Sequence, residues 1–166
     1  MGFGLAAKAA AGHRVGLVSF GVAQVLMDIE PGVRMLLDDG RLHGWSHTLP
    51  GALLIGALAT WGSARLSGLL VRRWNAEVSH YGLGWLCVPG AVSAKVLAAG
   101  AFVGTFSHVA LDSLMHADMQ PLAPWSSANP LMGLVAHDAV YTGMVVLGVA
   151  GGLSWLIRQW LQRHVT

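Results

Sequence analysis

Seven side chains of metal-liganding type fall at or beside the ends of long apolar stretches: Asp28 and Glu30, His43 and His47, and His108, Asp112 and His116. An eighth, His137, lies beside Asp138 near the start of the last apolar stretch. Acids and imidazoles in or next to lipid are costly, so such groups are usually functional or paired. Imidazole and carboxylate without thiolate form the donor set of zinc, manganese or iron. His43 and His47 are four apart in HGWSHT, and His108, Asp112 and His116 are spaced by four and four in SHVALDSLMH. On a helix, residues i and i+4 share a face, so each set can aim its donor atoms at one point. Asp28 and Glu30 sit in MDIEP, where a bend can turn either carboxylate inward.

The supply of donors exceeds what one ion takes, because a catalytic zinc uses about three protein ligands and keeps a position for water. The expectation is therefore two or more divalent ions, zinc with manganese as the alternative. Asp28, His43, His47, His108, Asp112 and His137 are the candidate ligands, and Glu30 and His116 the candidate acid/base groups. Two ions about 3.5–4 Å apart can clamp a phosphoryl group during in-line displacement. No Ser-His-Asp or Cys-His arrangement is evident, so a metal-activated water is the better nucleophile. Taken alone, one His in a membrane helix is more often a hydrogen-bonded packing residue than a ligand. With eight His in the chain, the HxxxH pair is weak by itself. The case rests on three separated clusters meeting at one depth. Asp38, Asp39 and Asp118 read as solvated loop charges, and Trp45 as an interfacial anchor.

The elements that must position these residues are membrane helices. The chain of 166 residues is 54% hydrophobic and 11% charged, with mean hydropathy +0.57. A typical soluble domain is about 25% charged. So few charges cannot dress a soluble surface, and lipid must be the solvent for much of the chain. The 22 glycines suit close helix packing, and the seven tryptophans suit interfacial belts. The single Cys87 excludes an internal disulfide and a Cys-rich metal site. A net charge of +2 with no basic run beyond Arg72-Arg73 argues against a nucleic-acid partner. The start of the chain lacks the basic leader of a signal peptide.

Four stretches are expected to span, at about 14–28 (its start extended by LAAKAAAG), 48–72, 92–114 and 131–160. The first is marginal in length. Short connections between them point to an all-α, four-helix bundle in a single domain, 1–166. Pro31-Gly32 is expected to stop the first helix, and Pro50 to sit in the first turn of the second. Residues 74–90 should form an interfacial loop, and Ser126, Ser127 and Asn129 should cap the fourth helix. Eight of the ten Lys/Arg (Lys8, Arg14, Arg65, Arg72, Arg73, Lys95, Arg158 and Arg163) fall on one side, which the positive-inside rule makes cytoplasmic together with both termini. The candidate ligands collect on the other side, whereas His13, His80 and His164 fall on the basic one.

MDIEP, HGWSHT and SHVALDSLMHADMQPLAPWS resemble the LexA-regulated, YdjM-like family of membrane-bound metal-dependent hydrolases, over roughly residues 2–133. The resemblance implies a multi-pass protein of the bacterial inner membrane. It also implies a ligand order similar to that of zinc-dependent phospholipase C and P1-type nucleases, which Asp28, His43, His108 and Asp112 match. The family pattern carries a His just ahead of the FGLAAK-like start and a basic residue after the first His of the second motif. This chain has no His at the first place and Gly44 at the second.

The expected activity is hydrolysis of a phosphoester, such as a lipid head group or a polyprenyl phosphate, at the outer membrane face. The alternatives are a non-catalytic membrane protein with a structural metal site, and a polar cluster that merely locks helices together. An ion relay would spread titratable groups through the bilayer depth, which the one-sided clustering disfavours.

Overall fold

A computed structural model describes residues 2–90 and 92–162. Arg163 and His164, which enter the charge and histidine assignments above, lie outside the described residues. The described chain is all-helical, with α1 (Gly2–Ala11), α2 (Leu17–Leu36), α3 (Leu49–His80), α4 (Ala94–Met115) and α5 (His137–Gln162), joined by short 3₁₀ turns and loops. Three of these helices, α3, α4 and α5, are long and apolar enough to cross a membrane. α3, at 32 residues, is ~48 Å long against a hydrocarbon core of ~30 Å, so it must tilt or project beyond it.

Helices α2, α3 and α4 pack on one another, while α1 lies along α5. The core between α2, α3 and α4 is built from small residues, with Ala23, Ala59 and Ala101 fully buried. Close approach replaces bulk here, as membrane helices require. The tightest point is Gly100: a Cβ there would stand 2.1 Å from the Gly16 carbonyl oxygen. That approach lets the Gly16 amide donate to Val96 O at 3.1 Å, tying the start of α2 to α4.

Several expectations are revised. The fold has five helices among the described residues, because the apolar start is a separate helix, α1, set off by the 3₁₀ turn Gly12–Arg14. Pro31 does not end α2, which runs on to Leu36 with the proline inside it. Proline removes one N–H from the ladder, but an Arg34–Glu30 ion pair at 2.8 Å spans the break. α3 continues through residues 74–80 to His80 before the 3₁₀ turn Gly84–Leu86. The fourth long helix starts at His137, not near Leu131, so Ser126, Ser127 and Asn129 do not cap it. Instead Asn129 Nδ2 donates to the carbonyls of Ser113 (2.9 Å) and His116 (3.3 Å), closing the C-terminal end of α4. Pro50 does stand in the first turn of α3, behind a Thr48 cap that accepts from the Gly51 amide.

The loop between α4 and α5 is pinned to the core. Met119 is fully buried against Met27, Ala52, Ile55 and Val109, and Pro121 O accepts from the Leu49 amide at 2.9 Å. Gly100→Ala should lower the thermal midpoint in detergent, by about 1–3 kcal/mol of overpacking. Gly62→Ala, with open space around its position, should leave the midpoint unchanged or raise it slightly.

Candidate metal centre

The site forms where the start of α3, the end of α4, the middle of α2 and the 116–136 loop meet. His43 precedes and His47 ends the 3₁₀ turn Trp45–His47 that leads into α3. His108 and Asp112 lie one turn apart on α4, and His116 is the residue that caps its end. Asp112 Oδ2 is the common point. It lies 3.1 Å from His108 Nε2, 3.3 Å from His47 Nε2 and 3.9 Å from His43 Nε2. Asp28 approaches from α2, with Oδ1 3.3 Å from His108 Nε2. The imidazole rings follow one another, with centroids 5.1 Å apart for His47–His108, 4.9 Å for His43–His47 and 4.5 Å for His43–His116.

Each of the three buried histidines is held by its other nitrogen. His108 Nδ1 meets Gln24 Oε1 at 3.0 Å, and Gln24 Nε2 in turn donates to Gly104 O at 2.8 Å. That second bond fixes the amide's orientation, so His108 must donate from Nδ1. His47 Nδ1 meets Ser46 Oγ at 2.8 Å, and His43 Nδ1 meets Asp118 Oδ1 at 2.8 Å. With Nδ1 protonated, each Nε2 presents a lone pair toward Asp112. His47 Nε2 and His108 Nε2 are buried and lack a hydrogen-bond partner despite their nearness to carboxylates. Buried polar atoms left unpaired cost about 1–3 kcal/mol each. Imidazoles oriented from behind, with free nitrogens converging on a carboxylate, match the construction of a metal site.

Three sets of donor atoms are grouped closely enough to hold an ion: Asp28, His47 and His108; His43, His47 and Asp112; and His43, His116 and Asp118. The third set contains the His43–Asp118 hydrogen bond. Asp118 Oδ2 also accepts the amides of Leu42 (3.0 Å) and His43 (2.9 Å), which makes Asp118 the clamp that orients His43. Burial opposes ionisation of Asp118, but these bonds from His43 and Leu42 outweigh it and hold the carboxyl at about 2. Asp118, read from the sequence as a solvated loop charge, is thus part of the centre. Gln24 and Ser46 also belong to the centre, and nothing in their local sequence marks them.

Glu30 and His137 stand apart from the three sets. Glu30 binds Arg34 and accepts the amides of Trp45 (3.2 Å) and Ser46 (2.7 Å), so it holds the turn that carries His43 and His47. His137, the first residue of α5, has its ring 6.4 Å from that of His116 and 5.0 Å from Tyr141. Gly44 follows from the Glu30 contact: a Cβ at that position would stand 1.9 Å from Glu30 Oε1. A larger residue there would require the Glu30 carboxylate to move away from the turn.

The family described as YdjM inner membrane protein matches residues 5–165. The chain belongs to this family. Nothing matches it among curated proteins or among solved structures. With three helices suited to crossing, this YdjM family member is a multi-pass protein of the inner membrane. Its histidine–aspartate cluster can hold a metal ion.

Two measurements check the assignments behind the ligands. Gln24→Leu should weaken metal binding about 10–100-fold, the usual effect of losing such an orienting partner, as read by competition with a chelating dye. Gly44→Ala should displace Glu30, lower the thermal midpoint and weaken metal binding, and Gly40→Ala, with open space around it, should alter neither.

Proposed function

We propose that this protein is a membrane-embedded, metal-dependent hydrolase of phosphoesters, acting on a lipid head group or a lipid-linked phosphate. The observation that carries the reading is the pair of buried, unpartnered Nε2 atoms of His47 and His108, both aimed at Asp112 Oδ2. Donor chemistry of this kind fits zinc, with manganese as the alternative. Asp28, His47, His108 and Asp112 would hold one ion, and His43, sharing Asp112, would contribute to a second. When bound, a divalent ion supplies Lewis acidity, lowering the pKa of a water and offsetting phosphoryl charge.

The remaining roles belong to the chain's own groups. His116 is half-buried and its ring lies against that of His43. Burial, then the neighbouring His43 and His137, lowers its pKa below the ordinary histidine value against the opposing pull of Asp112 and Asp118. It is therefore neutral at pH 7 and able to take a proton from an attacking water. His137, exposed beyond it, can pass that proton to solvent. Glu30, expected from the sequence to act in acid/base chemistry, is assigned instead to holding the His43–His47 turn.

An open site distinguishes this reading from a purely structural metal, because structural sites are closed by protein ligands. The Asp28 side chain is 66% exposed, so one edge of the cluster faces outward. The surplus of Lys/Arg at the opposite end of the helices supports placing that end in the cytoplasm and the centre at outer-leaflet head-group depth.

Metal analysis of detergent-purified protein should find at least one zinc or manganese per chain. The loaded protein should release phosphate or a phosphorylated head group from a lipid panel. His108→Ala should abolish both metal and activity. His116→Gln should keep the metal and lower kcat by about 10²–10⁴-fold. Metal-loaded protein that cleaves no phosphoester in the panel would sink the hydrolase reading, and protein that binds no metal would leave the cluster as a helix lock.

A further inference from the structure

At the other end of the molecule, a cavity of about 830 Å³ opens between α1, the start of α2, the last third of α3, the start of α4 and α5. Its size falls within the range of small-molecule and lipid sites. Ser67, the innermost α3 residue on its wall, lies ~30 Å along the chain axis beyond His47, about the thickness of the hydrocarbon core. The cavity is therefore separate from the metal centre and faces the opposite membrane surface.

Two observations bear on what it holds. The wall is mostly apolar, with Leu17, Leu70, Val96 and Trp155 contributed by four different helices. Its polar edge carries two fixed cations, Lys8 and Arg73, against one carboxylate, Glu77. Among the described residues neither cation is engaged in an ion pair; Lys8 Nζ donates only to Val15 O, at 3.0 Å.

We propose that this cavity binds an anionic phospholipid. An acyl chain lies along the apolar wall, and the phosphate sits between Lys8 and Arg73. The edge carries one more fixed cation than carboxylate, a balance that matches a lipid of net charge −1 better than a zwitterionic lipid of net charge zero. Basic pockets between membrane helices recognise anionic head groups in this way. The site is independent of the hydrolase reading: it shares no residue with the metal centre.

The test uses full-length protein in nanodiscs of equal phosphatidylglycerol and phosphatidylcholine, released into mild detergent, with co-purifying lipid counted by native mass spectrometry. The wild type should retain phosphatidylglycerol over phosphatidylcholine by about tenfold, the equivalent of about 1.4 kcal/mol. The Lys8→Gln/Arg73→Gln double variant should bring the ratio close to one. Leu70→Trp, which fills the slot, should reduce retention of both lipids. Circular dichroism and the thermal midpoint establish that each variant is folded, and Leu70→Trp decides the question if the double variant is not. Equal retention of the two lipids by the wild type would overturn the proposal. So would an unchanged preference in the folded double variant, full retention in folded Leu70→Trp, or displacement of the lipid by millimolar inorganic phosphate.

Discussion

Asp112 is a carboxylate set into an otherwise apolar helix, and the architecture of this end of the molecule follows from the need to match it. A buried anion costs several kcal/mol unless cations or donors surround it. Here the surroundings are three imidazole nitrogens, from His43, His47 and His108, within 3.9 Å of one oxygen. An imidazole nitrogen that carries no proton does not by itself satisfy that oxygen. A divalent cation does, and it also uses the free lone pairs. The same arrangement thus raises the cost of the empty cluster and sets its affinity for metal.

The outward-turned protons require their own acceptors, which explains a second layer of residues. Gln24 and Asp118 each accept an Nδ1–H, from His108 and His43, and Ser46 Oγ pairs with His47 Nδ1. Gln24 is bound to the Gly104 carbonyl, and Asp118 to two amides of the segment that carries His43. Glu30 performs a related task from α2, tying the Trp45 and Ser46 amides. Burial of Met119 anchors the loop that brings Asp118 into place. Rigid support of this kind is what holds a ligand set in productive geometry.

The molecule is polarised along its helices. Acids and imidazoles gather at one end, and most cations gather at the other, where the large cavity opens. Small residues in the middle let α2, α3 and α4 come close enough to join the two ends without bulky side chains.

The amino-acid sequence by itself determined the class of protein and the main donors. Low charge and long apolar runs leave lipid as the only suitable solvent, and i, i+4 spacing puts His108 and Asp112 on one helix face whatever the fold. Those properties are local, so they are legible residue by residue. Helix ends were less legible, because they depend on distant partners: α2 passes Pro31 with the Arg34–Glu30 pair spanning it, and Asn129 closes α4 where local pattern suggested a cap for α5. Tertiary structure alone decided that Asp118 belongs to the centre, that Glu30 supports it from outside the ligand groups, and that His137 stands beyond them. Each of those outcomes is a distance between segments far apart in the chain, and hydrophobic packing sets such distances without leaving a mark in local sequence.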